Sequence, residues 1–154
     1  MTANQPIIVI VLKACCDLVD VKLGMQLHTH IIKVIIEPDI CLASVLVTMY
    51  DQCGMIEDVF QVFHNMLKKD VVLWTTMIAG YAKNEHYDES LELFCKMKRS
   101  RIKPDQLTFS SVLSSCASLG APEHGKGIHA CILKRKFESD LSIGNTLVTL
   151  YAKC

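Results

Sequence analysis

Residues 46–53 read Leu46-Val47-Thr48-Met49-Tyr50-Asp51-Gln52-Cys53, and residues 147–154 read Leu147-Val148-Thr149-Leu150-Tyr151-Ala152-Lys153-Cys154. The two phrases lie 101 residues apart, and the likeness runs outward from them without a gap. Of the 53 positions that overlap at this shift, 16 are identical, among them Leu12/Leu113, Cys15/Cys116, Gly24/Gly125, His28/His129 and Asp39/Asp140. That is far above chance for one unadjusted register. A chain that copies itself is read first as an array, in which each copy buries its apolar face against the next.

A period of 101 residues is too long for one helical hairpin, and it subdivides. Asp39, Asp70, Asp105 and Asp140 open four similar segments spaced by 31, 35 and 35 residues. Each aspartate is followed by an apolar phrase. Within 70–104, Val72, Trp74, Met77, Ile78 and Tyr81 follow helical spacing, Lys83 to His86 can turn, and Leu91, Leu93, Phe94 and Met97 mark a second apolar stripe. Asp88 and Glu89 suit the start of that second helix and Arg99, Arg101 and Lys103 its end, through the backbone dipole. Pro104 is expected to stop it. The shorter segment reads alike, with a first helix from about Ile40 to Asp51, a turn at Cys53-Gly54, and a second helix through Val59, Val62, Phe63 and Met66. Small residues (Ala79, Gly80 and Ala82, with Ala14 and Ala117) are expected where helices approach closely. The expected fold is all-α, a right-handed superhelical solenoid of stacked helix-turn-helix repeats similar to tetratricopeptide arrays. Its repeats are expected at 5–39 (long, with a degenerate start), 40–70 (short), 71–105 (standard), 106–140 (long) and 141–154 (the first half of a short one).

Composition narrows the function. Hydrophobic content of 51% suits helices packed on both sides, and the formal net charge of zero is not that of a protein that grips nucleic acid by charge alone. Basic residues gather locally, at Lys96 to Lys103 and at Lys134 to Lys136, where solvated helix ends are the simpler explanation. None of the 8 cysteines has C-x-x-C spacing, and Cys15/Cys116 and Cys53/Cys154 are repeat equivalents; reduced packing residues in a reducing compartment are expected, with no metal. His28 and His30, two residues apart, point to different sides of a helix, and His28 recurs as His129, which marks a partly buried structural position. Glu85, His86, Asp88 and Glu89 read as a turn and helix start rather than acid–base machinery, and Gly120, Gly125 and Gly127 lack a phosphate-loop pattern. No catalytic residue, cofactor or enzymatic activity is expected. The apolar run Pro6 to Leu12 is too short to span a bilayer, so no membrane association is expected, and no signal peptide or Arg- and Ser-rich leader is legible. Cys154 falls mid-repeat, where its equivalent Cys53 is followed by Gly54 and a second helix; the chain is expected to be a fragment of something longer.

The stretch from Asp70 through Trp74 and Thr75 to Asn84, followed by Glu89-Ser90-Leu91-Glu92-Leu93-Phe94 and Ile102-Lys103-Pro104-Asp105, resembles a pentatricopeptide repeat. Leu147 to Cys154 resembles its short variant, and Thr108 to Gly120 with His129 to Lys134 its long variant. The order long, short, standard is that of one large plant subclass, the PLS subclass. The resemblance implies an organellar protein, of mitochondrion or chloroplast, that binds single-stranded RNA and serves its modification or processing, C-to-U editing for example. Other editing or processing factors would be partners and DNA would not. The family reads roughly one base per repeat, with the fifth residue of the repeat and the last. Carried over, these are Ser44 and Asp70, Thr75 and Asp105, Ser110 and Asp140, and Asn145 without its partner. Thr or Ser with Asp resembles the pairing associated with guanine, expected opposite Thr75/Asp105 and more weakly opposite Ser44/Asp70. Long repeats follow such rules poorly, and the first long repeat has Val9 at its fifth position, which cannot hydrogen-bond. Second-position residues Cys41, Val72, Leu107 and Ser142 could wedge against bases by analogy with the family, Ser142 poorly, and ordinary helix-start packing accounts for them at least as well. From physics alone the aspartates read first as helix N-caps; only the family resemblance turns them toward base reading, and both roles can hold together. The H-x-E and C-x-x-C ligands of the deaminase-like extension found in some plant members are absent. The alternative function is a protein-interaction scaffold whose groove takes peptides, as in tetratricopeptide arrays.

Overall fold

The computed structural model describes residues 5–34, 40–137 and 139–153, and every regular element among them is helical. In chain order the helices are α1 (Gln5–Leu18), α2 (Val21–Val34), α3 (Ile40–Gln52), α4 (Ile56–Asn65), α5 (Val71–Lys83), α6 (Tyr87–Arg99), α7 (Gln106–Leu119), α8 (Pro122–Lys134) and α9 (Leu141–Lys153). The result is an all-α array of helix-turn-helix repeats. Asp39, one of the four segment openers, lies outside the described residues.

The helices start in two different ways. The first helices α5, α7 and α9 begin on an aspartate whose side chain accepts an otherwise orphaned backbone N–H: Asp70 Oδ1 from Leu73 N at 2.9 Å, Asp105 Oδ1 from Thr108 N at 2.8 Å, and Asp140 Oδ1 from Ile143 N at 3.0 Å; the second helix α2 starts the same way, with Asp20 Oδ1 accepting from Leu23 N at 3.1 Å. Each such cap is worth about 1 kcal/mol. Second helices α4, α6 and α8 follow Met55, His86 and Ala121, none of which makes a side-chain cap. They carry Glu57 and Asp58, Asp88 and Glu89, or Glu123 in the first turn instead, where the dipole favours an anion.

They end alike. After α1, α3, α5, α6, α7 and α8 one residue takes a left-handed conformation: Val19, Gly54, Glu85, Arg101, Gly120 and Lys136. The next N–H then reaches back five residues, as from Met55 to the Tyr50 carbonyl (2.9 Å) and from Ala121 to that of Cys116 (3.0 Å). This turn satisfies free carbonyls at the helix end and reverses the chain. It corrects the expectation for Pro104: α6 stops at Arg99, capped by Ser100 and turned by Arg101, before the proline is reached.

The chain forms two compact units, Met1–Met77 and Ile78–Cys154, so the boundary falls within α5. In the first unit α1 packs on α2 and α3, and α3 on α2 and α4. Leu12, Cys15, Ile31, Leu42, Leu46 and Met49 are buried there, and Phe63 meets Trp74 edge-on with ring centroids 4.8 Å apart. In the second unit α7 packs on α6, α8 and α9, and α8 on α9. Its core holds Leu93, Met97, Phe109, Val112, Leu113, Ile132 and Leu150. In both, the first helix of one repeat lies against the first helix of the next, as stacking requires. The seven described cysteines are free, and Cys15, Cys16 and Cys116 are buried.

Of the small residues expected at close helix contacts, Gly80 and Ala117 are buried but Ala14 is exposed. The tight approaches are elsewhere. A Cβ on Gly24 would overlap the Met49 thioether, and one on Gly125 would overlap the Leu150 isobutyl group. These are the same contact in two copies, between α2 and α3 and between α8 and α9. One turn further along, His28 Nδ1 lies 2.7 Å from the Tyr50 hydroxyl and His129 Nδ1 lies 2.9 Å from that of Tyr151. A glycine and a histidine on one long-repeat helix thus seat two adjacent residues of the next repeat.

Candidate nucleic-acid interface

The expected reader positions sit near the starts of the first helices, where the aspartate caps fix both the helix direction and the first turn. Asp70, Asp105 and Asp140 are half-buried. Asp105 Oδ1 accepts from both the backbone N–H and the hydroxyl of Thr108 (2.7 Å for the latter). Each capping bond uses Oδ1, and a carboxylate has a second oxygen with which to accept from a ligand.

The fifth-position side chains differ in access. Ser44 is half-buried and its hydroxyl donates to the Ile40 carbonyl at 2.8 Å. Ser110 is half-buried, donates to the Gln106 carbonyl at 3.1 Å, and lies 3.3 Å from the Ser142 hydroxyl. Asn145 is exposed. Thr75 is only 4% exposed, so the strongest expected reader presents the least surface. A serine whose proton goes to its own helix keeps its oxygen lone pairs outward, so in this state Ser44 and Ser110 are acceptors.

At the second position Val72 is 54% and Leu107 57% exposed, and Cys41 and Ser142 are also exposed. An aliphatic side chain more than half exposed at a helix start contributes only part of its surface to packing and offers an apolar face to a ligand. The Ser110–Ser142 contact sets the fifth position of one repeat beside the second position of the next. Those two residues are 32 apart in sequence, and the packing of α7 on α9 joins them. Thr75 and Asp105 fall in different compact units, and their pairing rests on repeat register alone.

The recurrent His–Tyr pairs lie away from these helix starts. Burial lowers the His28 pKa below its ordinary value, with Asp58 opposing, and the imidazole is held neutral. Burial also pushes the Tyr50 phenol up to about 12, with Asp58 and Cys53 adding to the effect. Among the described residues no cluster of three or more His, Cys, Asp or Glu could hold a metal ion, and no helix is long and apolar enough to cross a membrane.

These features define a helical-repeat scaffold in which α5, α7 and α9 each start on an aspartate cap and carry a hydroxyl or amide at the fifth position of the repeat. Comparison with known proteins gives the kind of repeat. A model described as PPR repeat matches residues 44–71, and one described as PPR repeat family matches residues 69–118. The chain belongs to the pentatricopeptide repeat family. It is 38% identical to Arabidopsis thaliana pentatricopeptide repeat-containing protein At4g39530, over 94% of this chain and 17% of that protein. It is also 38% identical to At4g18520, chloroplastic, from the same plant, over 98% of this chain and 24% of that one. The chain therefore spans less than a quarter of these curated relatives. Among solved structures it is similar to the pentatricopeptide repeat protein PPR10 from maize, with a TM-score of 0.65 and 16% identity over 95% of this chain and 21% of that one. PPR10 in complex with an 18-nt psaJ RNA element is similar at a TM-score of 0.64 and 17% identity, over 84% of this chain and 20% of that one. Likeness at that identity establishes the fold.

Proposed function

We propose that the chain binds single-stranded RNA base by base, as part of a longer organellar protein of the plant PLS subclass, with any catalysis supplied elsewhere. The observation that carries this is the register at the first-helix starts: an aspartate cap, an exposed second residue, and a hydroxyl or amide at the fifth. The RNA complex of PPR10 supports it by fold, and the chloroplastic relative supports an organelle. C-to-U editing is one process such an address could serve.

The chemistry favours guanine. Carboxylates accept only, and Ser44 and Ser110 are held as acceptors, so a base edge rich in N–H donors is matched best. We assign the main base contacts to Ser44 with Asp70, to Ser110 with Asp140, and to Asn145, and a smaller share to the buried Thr75 with Asp105. Exposed Val72 and Leu107 would wedge between neighbouring bases. With contacts worth about 1–3 kcal/mol per base and few repeats present, the segment alone should bind weakly. The test is affinity for short single-stranded RNAs varied one base at a time. A guanine preference facing Ser44/Asp70 or Thr75/Asp105, reduced by Ser44→Ala or Thr75→Ala, is expected. Equal affinity for all four bases at both positions sinks base reading and leaves the peptide-binding alternative standing.

A further inference from the structure

Six helix-ending turns among the described residues need a left-handed residue, and two of them hold cations. Arg101 (φ 60°) follows α6 and Lys136 (φ 61°) follows α8. Each turn is closed by the next N–H reaching back, from Ile102 to the Met97 carbonyl and from Phe137 to that of Ile132, both at 3.3 Å. Glycine fills the same role without strain at Gly54 and Gly120, whereas a residue with a Cβ is there at a conformational cost. Complementing a helix dipole does not require this. Lys98, Arg99 and Lys134 already do so from within the last turns, in ordinary helical conformation. Val19 and Glu85 hold the same left-handed conformation after first helices, so strain alone does not mark a site; what sets Arg101 and Lys136 apart is a cation at the same place, 35 residues apart, after the second helices of two successive repeats.

The two turns share surroundings. Arg101 and Lys136 are exposed, and no ion pair among the described residues engages either. Lys98 Nζ lies 3.7 Å from Cys131 Sγ, so the C-terminal halves of α6 and α8 adjoin. Lys103 and Arg135 add further exposed cations beside the turns. From each turn the chain runs four residues to an aspartate cap, Arg101 to Asp105 and Lys136 to Asp140. The whole arrangement belongs to the second compact unit, where 11 Lys and Arg face 8 Asp and Glu, against 5 and 8 in the first.

We propose that the turns at Arg101 and Lys136 form a cationic edge that takes the phosphodiester backbone of bound single-stranded RNA, one phosphate per turn. This rests on the RNA-binding function proposed above. Two successive repeats, 71–105 and 106–140, each carry one cation-bearing turn at the same place, a spacing that matches one phosphate per nucleotide at one base per repeat and that an acidic peptide does not share.

The test compares the whole chain with Arg101→Gly/Lys136→Gly, with Arg101→Gln/Lys136→Gln, and with Glu85→Gly as a control, on a single-stranded RNA oligonucleotide and on polyglutamate. The glycine pair should unfold at the same or a higher temperature yet bind RNA several-fold more weakly at low salt. The slope of log affinity against log salt should flatten by about 1.4, or about 0.7 per lost phosphate contact. The glutamine pair, which keeps the strain, should show the same binding loss without the gain in stability. Glu85→Gly should gain stability and keep its RNA affinity. Base preference should be unchanged in all of them. Unaltered RNA affinity and salt slope in both double variants would overturn the proposal while leaving base reading intact. Polyglutamate binding that is stronger than RNA binding and lost in the same variants would overturn it in favour of an acidic protein partner. A parent chain that binds no RNA removes the function beneath it as well.

Discussion

At the level of single residues, left-handed helix ends offer the clearest stability test. Val19, at φ 52°, is a β-branched residue where glycine is favoured. Val19→Gly should stabilise the first unit by about 1 kcal/mol, since Val19 is exposed and its side chain contributes little packing. Urea unfolding measures this, and a loss of stability would show that the side chain matters more than the strain. Protonation at His28 and Tyr50 has a definite direction. The folded His28 pKa lies below the unfolded value, so its contribution is intact above about pH 6.5 and is lost as pH falls through the folded pKa. Tyr50, 2% exposed, has its phenol raised from 10.0 to about 12. The unfolded chain therefore releases that proton first, and stability drops as pH rises from 10 towards 12. Tyr50→Phe should lose about 1 kcal/mol at neutral pH, as for a lost hydrogen bond, and the alkaline decline should be shallower than in the parent chain. Parallel pH–stability curves for the two would refute this.

Between elements, the decisive contacts are those that seat one repeat on the next. Gly24 under Met49 and Gly125 under Leu150 bring α2 onto α3 and α8 onto α9 at a distance that no Cβ allows without movement. Gly24→Ala and Gly125→Ala should each destabilise by roughly 1–3 kcal/mol, the usual cost of overpacking. The clashing atoms are ends of flexible side chains, so relief is possible. The double variant Gly24→Ala/Met49→Ala should lose less than the two single changes together, and strict additivity in a double-mutant cycle would show that the contact does not couple them. The neighbouring His–Tyr hydrogen bond fixes rotation as well as distance. Together they make the step from long to short repeat a specified junction that occurs twice.

Across the whole chain, zero net charge conceals a division. Residues 1–77 carry an excess of acids and residues 78–154 an excess of cations. If RNA is the ligand, its salt dependence should come from the second group. Lys22→Gln/Lys68→Gln, two exposed positions in the first unit, should leave the salt slope of RNA binding unchanged within error. A flattening equal to that of the Arg101/Lys136 variants would mean that attraction is spread along the whole array. This separates the origin of affinity from the origin of selectivity, which the proposed reading places in hydroxyls and carboxylates on both units.

The 101-residue copy, two helices to a repeat and the aspartate caps were legible in the sequence because each is local. Apolar spacing within about a dozen residues defines a helix, and an aspartate three residues before a free N–H caps it whatever packs nearby. The candidate reader positions were legible as register. Their accessibility was not: Thr75 is buried, Ser44 and Ser110 turn back on their own helices, and Ser110 meets Ser142, 32 residues on. Nor could spacing reveal that His28 meets Tyr50, or that Gly24 rather than Ala14 marks a close approach. The lysines and arginines at 96–103 and 134–136 read from sequence as ordinary helix ends, until the backbone placed Arg101 and Lys136 in left-handed turns. Short-range hydrogen bonding and hydrophobic period determine which elements form. Which side chains they expose, and what strain they hold, depends on the neighbouring repeat, and only the folded stack decides it.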